Sequence, residues 1–372
     1  MFLINPYTYV TASGATEFIF TVDTTQTGSA ADTFVLPLQN GATSMTVYWG
    51  DGNSDVITTY NQSELTHVYA SSGTYQISCD GSFAGTKFLG GDALKLSSID
   101  NWGTNTWSNC VQAFYSCSNM VGTYTDNPDF SGATDMIQMF GNCTLFNSPL
   151  DIDTSGVTRM FQMFTGCTNF NSDITFSDTS SVTDMREMFR DCTNFDKAVN
   201  FDTSNVTAIR EMFRGCTNFN KPVNFNTVKA TDMVRVFYQC SNFNQTINFD
   251  MSACANTILM FYNCTSFNSP VTFTNTTVLT SHSNTFNSCT IFDQDLSGWD
   301  ISALTDASSM LLGTAFSTTN YDLLLPAWEG QTEQTGVTAH FGTAKYSAGA
   351  PATARGVLVG TSTWTITDGG PV

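Results

Sequence analysis

The stretch Phe189 to Phe213, FRDCTNFDKAVNFDTSNVTAIREMF, decides the fold, because it starts and ends on the same short pattern. Aligning the chain on Phe-x-x-Cys gives Phe114/Cys117, Phe140/Cys143, Phe164/Cys167, Phe189/Cys192, Phe213/Cys216, Phe237/Cys240, Phe261/Cys264 and Phe286/Cys289. Successive cysteines lie 26, 24, 25, 24, 24, 24 and 25 residues apart, a period in the range of leucine-rich repeats. An apolar residue follows each cysteine by three places, usually with Asn or Asp after it, as in Phe219-Asn220 and Phe243-Asn244.

The unit reads as two halves. Met185, Met188, Phe189 and Cys192, like Ile209, Met212, Phe213 and Cys216, recur at i, i+3, i+4, i+7, which predicts a helix of about two turns with these four on one face. Thr183 and Thr207 stand where N-caps belong. Val199/Phe201, Val223/Phe225, Ile247/Phe249 and Val271/Phe273 then alternate as a short strand does. Neither element is long enough to persist alone, so copies must stack. The expected fold is an α/β repeat solenoid, right-handed and curved, with parallel strands. In this stack the cysteines read as a buried packing ladder, with disulfides or metal as the lesser alternatives, and the Asn/Asp column as side chains satisfying turn backbone.

The unit F-x-x-C-T-x-F-N-x-x-V-x-F-x-T-S-x-V-T-x-M-x-x-M-F resembles the BspA-like leucine-rich repeats over roughly residues 108 to 314. The tail, with Trp328, Lys345-Tyr346-Ser347, Ala354-Arg355 and Trp364 to Gly370, resembles the segment that closes such arrays. The resemblance implies a binding or adhesion surface and carries over no catalytic residue.

The first hundred residues differ in texture. Phe18 to Val22, Thr33 to Leu36, Met45 to Trp49 and Gly73 to Ser78 are short β-type runs between Gly, Asn and Asp turns, which predicts a small all-β sandwich. Trp49-Gly50-Asp51-Gly52 and His67-Val68-Tyr69 resemble the PKD-like domain, implying a mounting or spacer module. The expected partition is a sandwich over 1–100, a solenoid of about eight coils over 101–314, and a capping segment with short strands over 315–372. Asp51, Asn53 and Asp55 have the alternating oxygen spacing of a calcium loop, but no Gly stands at its sixth position, and a tight turn is the plainer reading. Calcium is the one cofactor with any motif behind it.

Charge narrows the function. Across 372 residues Asp and Glu outnumber Lys and Arg 32 to 13, a net charge of -19, which argues against nucleic acid or an anionic membrane as partner. No window approaches 18 apolar residues, so membrane insertion is not expected. The three histidines accompany no Ser/His/Asp grouping, no G-x-S-x-G and no H-E-x-x-H, so no enzyme is expected. Most of the arginines gather in the central coils as Arg159, Arg186, Arg190, Arg210, Arg214 and Arg235. Arg186 and Arg210, like Arg190 and Arg214, are 24 apart, so the period stacks them on one side. Glu187 and Glu211 repeat beside them; the stripe reads as a ladder of weak surface pairs, or as a binding face for an acidic protein or glycan.

Met1 to Gly14 shows neither a basic region nor an apolar run, so no export signal is read there. The expectation is a non-enzymatic virion protein of a tailed phage, made in the host cytoplasm. Its sandwich would contact other virion proteins, and its solenoid a host surface protein or glycan. The alternative is a bacterial cell-surface adhesin.

Overall fold

A computed structural model describes residues 16–372; the segment read above for an export signal lies outside them. The chain divides into two compact units, Met1–Ser181 and Val182–Val372.

In the first unit, alternation of apolar and polar residues makes strands. These are β1 (Phe18–Asp23), β2 (Thr33–Val35), β3 (Thr43–Tyr48), β4 (Ser54–Ile57), β5 (Thr66–Val68), β6 (Thr74–Phe83), β7 (Leu96–Asn101) and β8 (Val121–Gly122). A six-stranded sheet runs β4-β3-β6-β1-β7-β8, and β2 pairs with β5 in a second, smaller sheet. Phe20 of the large sheet meets Phe34 of the small one at 6.0 Å between ring centroids. Only the β7–β8 pairing in the large sheet is parallel, and it leads into the repeats. Further along, β9 (Leu150–Ile152) and β10 (Ile174–Phe176) pair in parallel, exactly one repeat apart, Leu150 opposite Ile174.

In the second unit, β11 (Ile247–Asp250) and β12 (Val271–Thr274) pair the same way, Phe249 opposite Phe273. Asp184, Ala208 and Asp232 are linked by parallel bridges one repeat apart. At the end of the chain, β13 (Asp306–Ala307), β14 (Thr338–His340) and β15 (Thr365–Thr367) form a parallel sheet. Helices α1 (Thr318–Glu329) and α2 (Ala350–Gly360) connect these strands and pack on each other. Ser317 caps α1 by accepting from Asn320 N–H.

The expected α/β leucine-rich-repeat horseshoe is corrected here. The repeats form a parallel β-solenoid, and among the described residues the α-helices lie in the closing segment, after the Phe-x-x-Cys copies. The segments that read as two-turn helices are runs of tight turns. Within each, two residues four apart hold a left-handed backbone, such as Gln138 and Asn142, Glu187 and Asp191, Glu211 and Gly215, or Leu259 and Asn263. A left-handed residue ends an α-helix, so none can propagate through these segments. Each of these residues turns its N–H to the following coil: Glu187 donates to the Arg210 carbonyl, Asp191 to Arg214, Glu211 to Val234 and Gly215 to Tyr238, at 2.7–3.0 Å. Alternate N–H groups thus bond between coils, while those of Met212, Arg214 and Cys216 close turns onto residues three before them. The turns still bring i, i+3, i+4 and i+7 inward, which is why the apolar pattern imitates a helix. Thr183 and Thr207 cap nothing helical; the Thr207 hydroxyl donates to the Thr183 carbonyl one coil earlier.

Candidate functional site

The interior fixes where surface side chains point. In the second unit Phe189, Phe213, Phe237, Phe261 and Phe286 stack at 5.4–5.8 Å with planes within 7° of parallel. Phe195, Phe219, Phe243, Phe267 and Phe292 make a second column at 5.8–5.9 Å. Each such aromatic pair contributes about 0.5–1.5 kcal/mol beyond its buried area. All eleven cysteines are buried, and none is joined in a disulfide. The ladder members do more than fill space: Cys216 Sγ donates to the Phe189 carbonyl, Cys240 to Phe213, Cys264 to Phe237 and Cys289 to Phe261, each at 2.9 Å. In the first unit Cys143 and Cys167 donate likewise to Phe114 and Phe140. Cys117 and Cys192 are buried in the same series. Burial pushes the Cys167 thiol up to about 12 and Cys143 and Cys216 well above their ordinary value, so these are inert thiols. The Asn/Asp column is a ladder too: Asp196, Asn220, Asn244 and Asn268 each accept through Oδ1 the backbone N–H of the equivalent residue one coil on.

On this frame the turns present their outward residues in register. The arginine face of the second unit is locally balanced. Arg186 grips Asp184 through Nε and Nη2 at 2.9 and 2.6 Å, and Arg210 Nε lies 2.7 Å from Asp232. Glu211 is the hub. It accepts from Arg214 at 2.8 Å and Arg235 at 3.0 Å, and Arg190 bridges it to Glu187, at 3.7 and 2.7 Å. Burial opposes ionisation of Glu211, but the hydrogen bonds from Arg214 and Arg235 and the charges of Arg214 and Arg190 outweigh it and lower its pKa. The guanidinium groups of Arg214 and Arg235 lie over the Tyr238 ring at 5.5 and 5.8 Å, and Tyr238 stacks on Tyr262 at 4.8 Å. Arg159, in the first unit, pairs with Asp135 at 2.6 Å.

The structure brings five of the six arginines of the stripe into one unit and engages each with a carboxylate. Sequence reading missed Tyr238 and Tyr262, which continue the column of Arg190 and Arg214 at the same period. The period itself was the signal.

Asp51 and Asn53 lie in the turn between β3 and β4 and Asp55 in β4 opposite Val47, and the two carboxylates serve different partners. Asp51 accepts from the Asn53 backbone at 2.9 Å and lies 2.9 Å from His67 Nε2, while Asp55 accepts from Trp49 Nε1 at 2.8 Å. Burial works against the Asp51 charge, yet the His67 and Asn53 hydrogen bonds bring its pKa below the ordinary value. His67 stacks on Trp49 at 4.8 Å, and the Tyr69 hydroxyl donates to the Trp49 carbonyl, so the two short motifs meet in space as a structural clasp. Among the described residues no group of three or more His, Cys, Asp or Glu is arranged to hold a metal ion, and no helix is long and apolar enough to cross a membrane.

Comparison with known proteins corrects the family. No curated protein and no solved structure matches the chain. Neither the PKD-like label for the N-terminal strands nor the phage attribution is matched by any comparison. In place of the BspA-like leucine-rich repeats, residues 108–224, 196–289, 221–324 and 247–346 match the family described as "Mycoplasma protein of unknown function, DUF285", and since these spans cover well over half of its length, the chain belongs to that family.

Proposed function

We propose that the repeats are a non-catalytic scaffold that binds a protein or another ligand through the outward residues of its turns, and that the chain serves as an adhesin at a bacterial surface. One observation carries the reading. The interior columns keep Phe and Cys coil after coil, whereas the outward column beside them carries Arg190, Arg214, Tyr238, Tyr262 and, two coils on, Leu312, with Asn287 between them buried. Packing demands sameness inside; the outer positions vary in charge, ring and aliphatic bulk on a rigid and evenly spaced support, which is what selective recognition needs. The Mycoplasma family supports a bacterial setting.

Two measurements test this. Antibody labelling of intact source cells is expected to equal that of permeabilised cells; label confined to permeabilised cells would remove the surface role. Purified chain is expected to bind host-cell surfaces, and the double change Tyr238→Ala, Tyr262→Ala, on half-buried outward positions, should weaken that binding roughly tenfold, or ~1.4 kcal/mol. Equal binding by both chains would move recognition off this face.

A further inference from the structure

The arginines of the second unit are not equally engaged. A guanidinium grips a carboxylate best through two parallel N–H groups, such as Nε and one terminal nitrogen side by side. Arg186 closes that fork on Asp184 at 2.9 and 2.6 Å, as Arg159 of the first unit does on Asp135 at 2.6 and 2.9 Å. Arg210 gives its Nε to Asp232 at 2.7 Å, Arg190 gives its Nε to Asp191 at 3.3 Å, and the Nε of Arg214 is buried. Arg235 differs. Its bond to a carboxylate runs from Nη1 to Glu211 at 3.0 Å, and among the described residues its Nε and Nη2 have no partner. The side chain is 38% exposed.

The period explains the open fork. Glu187, Glu211 and Arg235 hold the same place in successive coils, and the next coil puts Leu259 there. Ile258 likewise follows Arg186, Arg210 and Val234, and Asn256 follows Asp232. From Met251 to Phe292 the sequence holds no Asp, Glu, Lys or Arg, so the coil after Arg235 brings no carboxylate to meet it. It brings an apolar strip instead. Ile258, Leu259 and Tyr262 are half-buried, and the Ile258 carbonyl accepts the Arg235 backbone N–H at 3.1 Å, which sets the two coils side by side. The guanidinium itself is held from two directions, by Glu211 and by the Tyr238 ring 5.8 Å away.

We propose that Arg235 anchors a docking site for a segment of a partner protein in which a glutamate or aspartate stands beside an aliphatic residue. The proposal rests on the scaffold reading above and names the chemistry of its partner. The partner's carboxylate closes the Nε/Nη2 fork as Asp184 closes that of Arg186. Its aliphatic neighbour packs on Ile258, Leu259 and the stacked Tyr238–Tyr262 pair. Arginine and tyrosine are the residues from which interface hot spots are most often built. Because Glu211 and Tyr238 already hold the guanidinium, little side-chain freedom is lost on binding. The overall charge of -19 leaves the site open to an acidic segment: salt largely screens exposed charges more than about 8 Å apart, and the stretch that follows in the next coil is uncharged. An acidic sugar would fill the fork but bring no aliphatic side chain to the strip.

The test is arginine side-chain NMR of the purified chain, titrated with the peptide acetyl-(Gly-Glu-Leu)3-amide. A saturable shift of the Arg235 Nε–H signal is expected, while Arg186 and Arg159, whose forks are closed, stay in place. Equal movement of all three, or none at Arg235, would overturn the proposal, as would an equal shift with the uncharged acetyl-(Gly-Gln-Leu)3-amide. Arg235→Lys keeps the charge at a half-exposed position and loses the fork. It should weaken peptide binding, followed by fluorescence anisotropy, by roughly tenfold or more; unchanged affinity would remove Arg235 as the anchor. Leu259→Ser should weaken it several-fold, and no loss would sink the aliphatic half of the site. Hyaluronan oligosaccharides carry carboxylates on a glycan: tighter binding than the peptide would reject the partner protein. Because the purified chain and a synthetic peptide are used, failure here leaves the surface result standing, and the reverse also holds.

Discussion

The coils around Phe213 and those around His282 share one backbone plan and differ inside. Around Phe213 the innermost column is Met185, Ile209 and Met233, apolar and buried. Around His282 it is Thr257 and His282, joined by a hydrogen bond. The other columns do not notice the change. Phe261 still stacks on Phe286 at 5.4 Å and 5°, and Cys289 still donates to the Phe261 carbonyl. The Phe, Cys and Asn columns therefore carry the stack, because they join one coil to the next through ring faces and backbone groups. A column that only fills volume is free to change, provided its polar atoms satisfy each other.

That proviso can be broken directly. Ile209→His places an imidazole between Met185 and Met233, where the positions equivalent to Thr257 and Thr285 carry Met or Val in place of a hydroxyl. The loss of a buried apolar side chain and an unpaired ring nitrogen together should cost about 3 kcal/mol or more in urea denaturation. A cost below about 1 kcal/mol would mean that the Thr257–His282 pairing is incidental.

The native histidine supplies the next largest effect. Burial lowers the His282 pKa from 6.5 to about 3, against a smaller opposing pull from Asp306. Between those values the unfolded chain binds the proton and the native chain does not. Stability from this group is complete above pH 6.5 and falls as the pH drops toward 3, by up to about 1.4 kcal/mol per pH unit. His282→Met should flatten that part of the profile. A profile parallel to the wild type would show that the ring is already protonated in the folded protein.

Period and inward pattern were open to reading in the sequence because packing writes them in side-chain type. The period of 24–26 residues, the buried cysteines and the stacked phenylalanines need only the spacing of apolar residues. The backbone path was hidden by a coincidence: i, i+3, i+4, i+7 serves a helix and these turns equally. The missing sign lay just before five of the eight ladder cysteines, where Asn142, Gly166, Asp191, Gly215 and Asn263 stand. A helix interior disfavours that set, and the left-handed region favours it. Spacing sets Arg186 and Arg210, like Arg190 and Arg214, one coil apart; Asp184, Glu187 and Glu211 meet Arg186, Arg190 and Arg214 within a coil, whereas Arg210 reaches Asp232 and Arg235 reaches Glu211 across coils, which spacing alone does not fix. Polar departures at Thr257 and His282 were visible as letters; only the three-dimensional columns show what they replace.

The smallest predicted effect separates the two backbone paths by its sign. Were residues 209–216 helical, Gly215→Ala would stabilise the chain by about 1 kcal/mol, since alanine is the better helix former. In the observed turn Gly215 has φ +74°, and an added Cβ would run into Asp191 Oδ1. Left-handed backbone costs an alanine roughly 1–2 kcal/mol, so Gly215→Ala should destabilise by about that much in thermal or urea denaturation. Gly215→Asn brings the same Cβ and meets the same Asp191 oxygen, which can swing aside, but asparagine already holds this place at Asn142 and Asn263 with φ 61° and 59°. A smaller loss for Asn than for Ala therefore assigns the penalty to backbone conformation, whereas equal losses would assign it to the contact with Asp191. A gain for Ala would return the helix to these segments and remove the inter-coil bond that Gly215 N–H makes to Tyr238.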